Sequence, residues 1–222
     1  MAGSIAENIN RFKTSLSDGV ELVAVSKFQP LSSLKEAYEA GQRIFGESRV
    51  NELLEKIERM PSDVRWHFIG HLQTNKVKYL IGKVALIESV DSMRLLEIID
   101  RLSSESGIET NVLMQVHVAA EETKFGWDPD ELISFFATRQ FERFKATRLC
   151  GIMGMATNTD DKKRVEADFA RIAEVRRSII QAVPGLSGFD IVSMGMTDDY
   201  HLAVRHGSNL VRIGTGIFGS RM

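Results

Sequence analysis

The chain has 222 residues, and a hydrophobic fraction of 43% is ample for one substantial core. Its 28 lysines and arginines nearly balance 30 aspartates and glutamates and are spread along the chain, which excludes a nucleic-acid footprint and a polybasic membrane patch and points to a small-molecule ligand. No apolar run reaches the ~20 residues that a membrane-spanning helix needs, the first residues lack the apolar stretch of a signal peptide, and the single cysteine, Cys150, has no disulfide partner, so a soluble cytoplasmic protein is expected.

Ile5, Ile9, Phe12 and Leu16 recur at helical spacing and predict an amphipathic helix at the start. Short apolar runs then follow at about 21 to 27 (ELVAVSK), 43 to 46, 64 to 69, 84 to 88, 110 to 118, 147 to 155, 189 to 193 and 210 to 213. Helix-like stretches separate them at about 31 to 40, 48 to 59, 73 to 81, 92 to 105, 128 to 138, 160 to 182 and 197 to 206. Asp91, Asp128 and Thr197 are placed as helix starts, and Gly41, Gly107 and Gly207 as stops. Eight strands, the first seven each followed by a helix, spell an α/β chain folded as a single (β/α)8 TIM-type barrel over residues 1–222 with an additional N-terminal helix; a doubly wound open sheet is the competing arrangement.

Lys27 closes the first apolar run. Alternation puts it on the same face as Val23 and Val25, with Ser26 on the other, so a primary amine follows two core residues to the rim of the barrel. Taken alone it reads as a solvated lysine; desolvated, it would be a nucleophile for an aldehyde. In a barrel, phosphate groups commonly bind in the loops after strands seven and eight. Here those loops carry Met194, Gly195, Met196 and Thr197, and Gly214, Thr215 and Gly216, with Ser193 at the end of its strand: glycines that permit close backbone approach, and hydroxyl donors. Arg212, set between Val211 and Ile213, is a charge on an apolar strand, and barrel closure would bring that strand beside the one that carries Lys27. His67 and His71 flank a strand end, where a spacing of four does not align two imidazoles, so no metal centre is expected.

The segments ELVAVSKFQP (21 to 30), FGESRVNE (45 to 52), WHFIGHLQTNK (66 to 76), GIMGMAT (151 to 157), SMGMTDDYHLAVRHG (193 to 207) and VRIGTGIFG (211 to 219) resemble, in order, the pyridoxal phosphate homeostasis protein family. That family uses the pyridoxal phosphate-binding barrel also found in alanine racemase. The resemblance implies that Lys27 forms an internal aldimine, a Schiff base, with pyridoxal 5'-phosphate. It further implies that Ser193, Thr197, Gly214 and Thr215 hold the phosphate with backbone help from Gly195 and Met196, that Arg212 approaches the pyridine nitrogen, and that Asn51 and Met153 lie near the cofactor. Thr197 stands where the family often has serine and keeps the hydroxyl, whereas Ser48 stands where the family has asparagine and puts a ring contact from that side chain in doubt.

A permanent cation beside the pyridine nitrogen disfavours its protonation and makes the ring a weaker electron sink. With no further β domain expected after residue 222, the sequence therefore reads as a non-catalytic cofactor holder that supplies pyridoxal phosphate inside the cell. It is expected to be monomeric, with apo-enzymes as its partners. An amino-acid racemase-like enzyme is the first alternative, and a phosphosugar barrel using Lys27 covalently is the second.

Overall fold

The computed structural model describes residues 3–121 and 125–219. Eight parallel strands close into a barrel in sequential order: β1 (Glu21–Val25), β2 (Ile44–Glu47), β3 (Arg65–Phe68), β4 (Leu86–Val90), β5 (Thr110–Val116), β6 (Thr147–Gly154), β7 (Ile191–Ser193) and β8 (Leu210–Ile213). Closure is made by β1 on β8, with Val23 opposite Arg212 and Ala24 opposite Ile213. The helices are α1 (Ile5–Ser15), α2 (Leu31–Glu39), α3 (Val50–Ile57), α4 (Met93–Ser106), α5 (Pro129–Ala137), α6 (Lys162–Ala182), α7 (Tyr200–Arg205) and the single turn α8 (Thr215–Phe218). The fold is the (β/α)8 barrel read from the sequence, and the open sheet is ruled out by the β1–β8 pairing.

Two apolar clusters divide the strand residues by face. Leu22, Ala24, Phe45, Phe68, Ile87, Val112, Ile152 and Val211 belong to the large cluster shared with the helices, while Val23, Ile44, Leu86, Leu113, Cys150, Met153 and Leu210 form a small second one. Strand alternation makes the second cluster the filling of the bore. Cys150 and Met153 both reach it despite their odd spacing because the β5–β6 register shifts between Val112 and Leu113, leaving Cys150 as the extra residue of a bulge. On the same inner face as Val23 and Leu210, but further toward the C-terminal ends of the strands, come Arg212 and then the position of Lys27.

Four local expectations are corrected. Strand β1 stops at Val25, so Lys27 sits in a turn two residues beyond it; the Ser26 carbonyl accepts the Gln29 N–H, and Pro30 could not continue a ladder. The stretch expected as a helix at 73 to 81 is a 3-10 turn over Thr74–Tyr79, where Thr, Asn, Val and Tyr are all indifferent helix formers. Ser92 rather than Asp91 caps α4, by accepting the Leu95 N–H, and Thr197 does not cap α7, because α7 starts only at Tyr200. Asp128 does cap α5, and Gly107 ends α4 at φ 64°.

Helix α1 begins with a reciprocal cap between Ser4 and Glu7. It lies against the barrel end of interest: Asn8 Nδ2 donates to the Ile217 carbonyl at 3.0 Å, and the Phe12 ring meets Tyr200 edge-on, centroids 5.4 Å apart.

Candidate functional site

Inside the bore, Arg212 is 4% exposed and tied to three neighbours. One guanidinium nitrogen donates to the Ser193 hydroxyl, another to the Gly154 carbonyl at 3.1 Å, and the Glu88 carboxylate lies 3.7 Å away. Glu88, wholly buried, also accepts from Ser193 Oγ and from His67 Nδ1 at 2.7 Å. Burial pushes the Glu88 carboxyl upward, but His67, Arg212 and Ser193 together outweigh it and hold the group below its ordinary 4.5. Facing an ionised acceptor, His67 must carry its proton on Nδ1. Burial lowers the Arg212 guanidinium from its usual range, against the pull of Glu88 and Asp199, and a guanidinium keeps its proton nonetheless.

At the rim, Lys27 is half-buried in the turn from Ser26 to Gln29. Phe28, the third residue of that turn, has φ 64°, a conformation that ordinarily selects glycine or asparagine. A buried network behind the turn holds it there. Lys56 Nζ, on α3, donates to the Ser26 carbonyl at 2.7 Å, to Glu47 Oε1 at 2.7 Å and to Glu52 Oε1 at 2.6 Å. Ser26 Oγ donates to Glu47 at 2.6 Å, and Glu52 accepts the Phe28 N–H at 2.6 Å. Burial raises the Glu47 carboxyl above its ordinary 4.5 in spite of Lys56 and Ser26.

Across the closure seam the two glycine loops meet. Thr215 Oγ1 donates to Thr197 Oγ1 at 3.1 Å, and Thr197 Oγ1 accepts the Gly216 N–H at 3.2 Å. Gly195 has φ 94°, and a Cβ there would stand 2.6 Å from Ala203 Cβ and 2.9 Å from Tyr200 Cα, so only glycine lets the β7 loop lie on α7. A Cβ on Gly216 would meet the Phe12 ring at 2.5 Å, which ties α1 to the same loop. The Met196 N–H donates to the Asp199 carboxylate at 2.5 Å and is thereby taken within its own loop.

The sequence-derived residues thus fall into three groups. Arg212, Ser193 and Met153 lie together in the bore, with Met153 paired in register with Ser193. The turn of Lys27 and the loops with Gly195, Met196, Thr197, Gly214 and Thr215 share the rim, Gly214 approaching Val25 across the seam. Asn51 is exposed near the start of α3, where it lines a cavity of about 550 Å³ with Ser48, Arg49, Glu52 and His71, and Glu52 and Arg49 both contact Phe28 in the turn of Lys27. The Ser193 hydroxyl, expected on a phosphate, points to Arg212 and Glu88 instead. Sequence reading missed Glu88, Glu47, Glu52 and Lys56, and weighed His67 only as a metal ligand. The signal was the one that exposed Arg212: a charge among apolar neighbours, as in Leu86-Ile87-Glu88 and on the α3 face of Val50, Leu53 and Lys56.

Residues 2–222 match the model of the alanine racemase N-terminal domain. A pyridoxal phosphate homeostasis protein of Schizosaccharomyces pombe is 38% identical over 206 residues, covering 91% of this chain and 84% of that one; another, of Aquifex aeolicus, is 39% identical over 207 residues, covering 90% and 87%. The chain belongs to the pyridoxal phosphate homeostasis protein family.

Among solved structures, PipY of Synechococcus elongatus with pyridoxal phosphate bound is 35% identical, with a TM-score of 0.89 over 97% of this chain and all of PipY. The family barrel also superposes on alanine racemase from E. faecalis with a TM-score of 0.74 at 20% identity, a likeness of fold. This homeostasis-family chain spans 57% of that racemase.

Proposed function

We propose that the chain binds pyridoxal 5'-phosphate at the C-terminal rim of the barrel, holds it through Lys27, and serves to store and supply it rather than to turn over a substrate. The observation that carries this reading is the convergence at the β1–β8 seam of a primary amine, a buried guanidinium on the same inner face four residues back in register, and a pair of touching hydroxyls on glycine loops. The residues fit the group. Lys27 matches its aldehyde, Thr197, Thr215 and the loops of Gly195 and Gly214 match its phosphate, and Arg212 matches a ring nitrogen left without a proton.

When bound, the cofactor supplies an aldehyde for an amine and a ring that can accept electrons. The chain's own residues restrict the second property. Arg212 is fastened by Ser193, Gly154 and Glu88, so exchanging it for a carboxylic acid would set a second buried carboxyl against Glu88. A cation fixed at that place favours binding and disfavours the ring protonation that carbanion chemistry exploits. Apo-enzymes short of the cofactor are the partners this role implies, with the chain acting as a monomer in the cytoplasm.

The purified protein is expected to be yellow, and to leave the α-hydrogens of a panel of amino acids unexchanged in deuterium oxide. Stoichiometric release of cofactor to an apo-enzyme completes the expectation. Sustained α-deuteration of any amino acid would instead establish a racemase-like enzyme, and a colourless protein that cannot be loaded would remove the reading altogether.

A further inference from the structure

Lys27 lies between two peptide groups, and both are fastened to α3. The carbonyl of the Ser26–Lys27 peptide accepts from Lys56 Nζ at 2.7 Å, and the N–H of the Lys27–Phe28 peptide donates to Glu52 Oε1 at 2.6 Å. The two fastenings are joined, because Lys56 Nζ also donates to that same Glu52 oxygen. Glu47 completes the anchorage from β2, binding Lys56 and the Ser26 hydroxyl through one oxygen. Three donors of one ammonium are thus matched by three acceptors around a single lysine's backbone, in a place where Lys56 is only 5% exposed.

A buried cation with two carboxylates is an expensive way to hold a turn, since each charge loses its hydration. The turn itself is held against its preference, with Phe28 at φ 64° in a region that side chains other than glycine and asparagine rarely adopt. The Arg49 guanidinium, just ahead of α3, adds a third tie by lying 4.5 Å over the Phe28 ring. These contacts all fix one quantity, the place and direction from which the Lys27 side chain leaves the backbone. The network sits on the outer side of the sheet with Ser26, whereas Lys27 has the parity of the inner face.

We infer that Lys56 and Glu52 are positioning residues for the covalent anchor: they set Lys27 so that its amine meets the aldehyde, without touching the ligand. The inference rests on the proposed function. The condensation it serves joins Lys27 Nζ to the aldehyde carbon with loss of one water, and borohydride hydride then makes the bond permanent.

The test compares two ligands, pyridoxal 5'-phosphate and pyridoxine 5'-phosphate, which has an alcohol where the other has the aldehyde. Glu52→Ala keeps the Lys56–Glu47 pair, so the fold is expected to survive; Lys56→Met, which strands two carboxylates, serves only if its melting transition is intact. In Glu52→Ala the aldehyde ligand is expected to bind about tenfold more weakly and to be trapped more slowly by borohydride, while the affinity for the alcohol stays within about twofold. Glu52→Gln, which can still accept the Phe28 N–H, should recover most of the loss. In a Lys27→Ala background, Glu52→Ala should change neither affinity. Equal losses for both ligands, an unchanged aldehyde affinity, or an effect that persists without Lys27 would each overturn the inference. Undiminished trapping in Lys27→Ala would be a separate result, overturning Lys27 as the anchor and with it the proposed function.

Discussion

Arg212 and Glu88 face each other inside the barrel at 3.7 Å, and the Ser193 hydroxyl bridges them, accepting from the guanidinium and donating to the carboxylate. Both charges are buried, so each depends on the other, and His67 completes the set from β3. The arrangement fixes a cation in the bore beneath the rim that carries Lys27.

Glu88 makes the stability of the protein depend on acid. Its folded carboxyl titrates below the ordinary 4.5, so its contribution is fully present above about pH 4.5 and is lost as pH falls through the folded value. Urea unfolding across pH 3 to 7 should show this loss in the wild type. Glu88→Gln should lack that component, and at pH 7 it should be weaker by about 3–5 kcal/mol, because Arg212 is left buried without its counter-charge.

Arg212→Lys keeps the charge but not the fork. One ammonium cannot reproduce the set of guanidinium contacts to Ser193, Gly154 and Glu88. The variant is expected to lose about 1–3 kcal/mol of stability by chemical denaturation and to shift the visible absorbance of the loaded protein. An unchanged spectrum would mean that the guanidinium does not act on the bound ring. Arg212→Glu, which would set two carboxylates against each other across the bore, should weaken or alter that absorbance further.

Thr197 links the two rim loops through Thr215 and Gly216. Thr197→Ser preserves that oxygen and should bind pyridoxal 5'-phosphate as the wild type does, whereas Thr197→Ala should lower affinity about tenfold in an absorbance titration, the effect of about one lost hydrogen bond to a charged group. Equal behaviour of the two variants would remove Thr197 from the phosphate site.

Gly195→Ala places a methyl group within 3 Å of Ala203 and Tyr200 at a φ of 94°. The loop must move off α7, at a cost of about 1–3 kcal/mol in thermal or chemical unfolding. Full stability would show that the loop has room that the packing does not indicate.

The barrel was legible in the sequence because each strand is an apolar run and the intervening helices carry stripes, as with Val165, Phe169, Ile172 and Ile179 on α6. Lys27 and Arg212 stood out as charges at the ends or centres of such runs. Their supports did not, because Glu88 meets Ser193 across 105 residues and Lys56 reaches Ser26 across 30, and no local period encodes such pairings. The strand end at Lys27 was misjudged for a related reason. The turn at Ser26–Gln29 depends on a strained Phe28 held by α3, where local preference alone would ask for glycine.

The central claim is that Lys27 is the covalent anchor. Protein loaded with pyridoxal 5'-phosphate, reduced with borohydride, digested and mapped by mass spectrometry should carry the added mass on the peptide containing Lys27, and Lys27→Ala should lose both the visible absorbance and the label. A label on any other lysine, or an undiminished signal from Lys27→Ala, would contradict it.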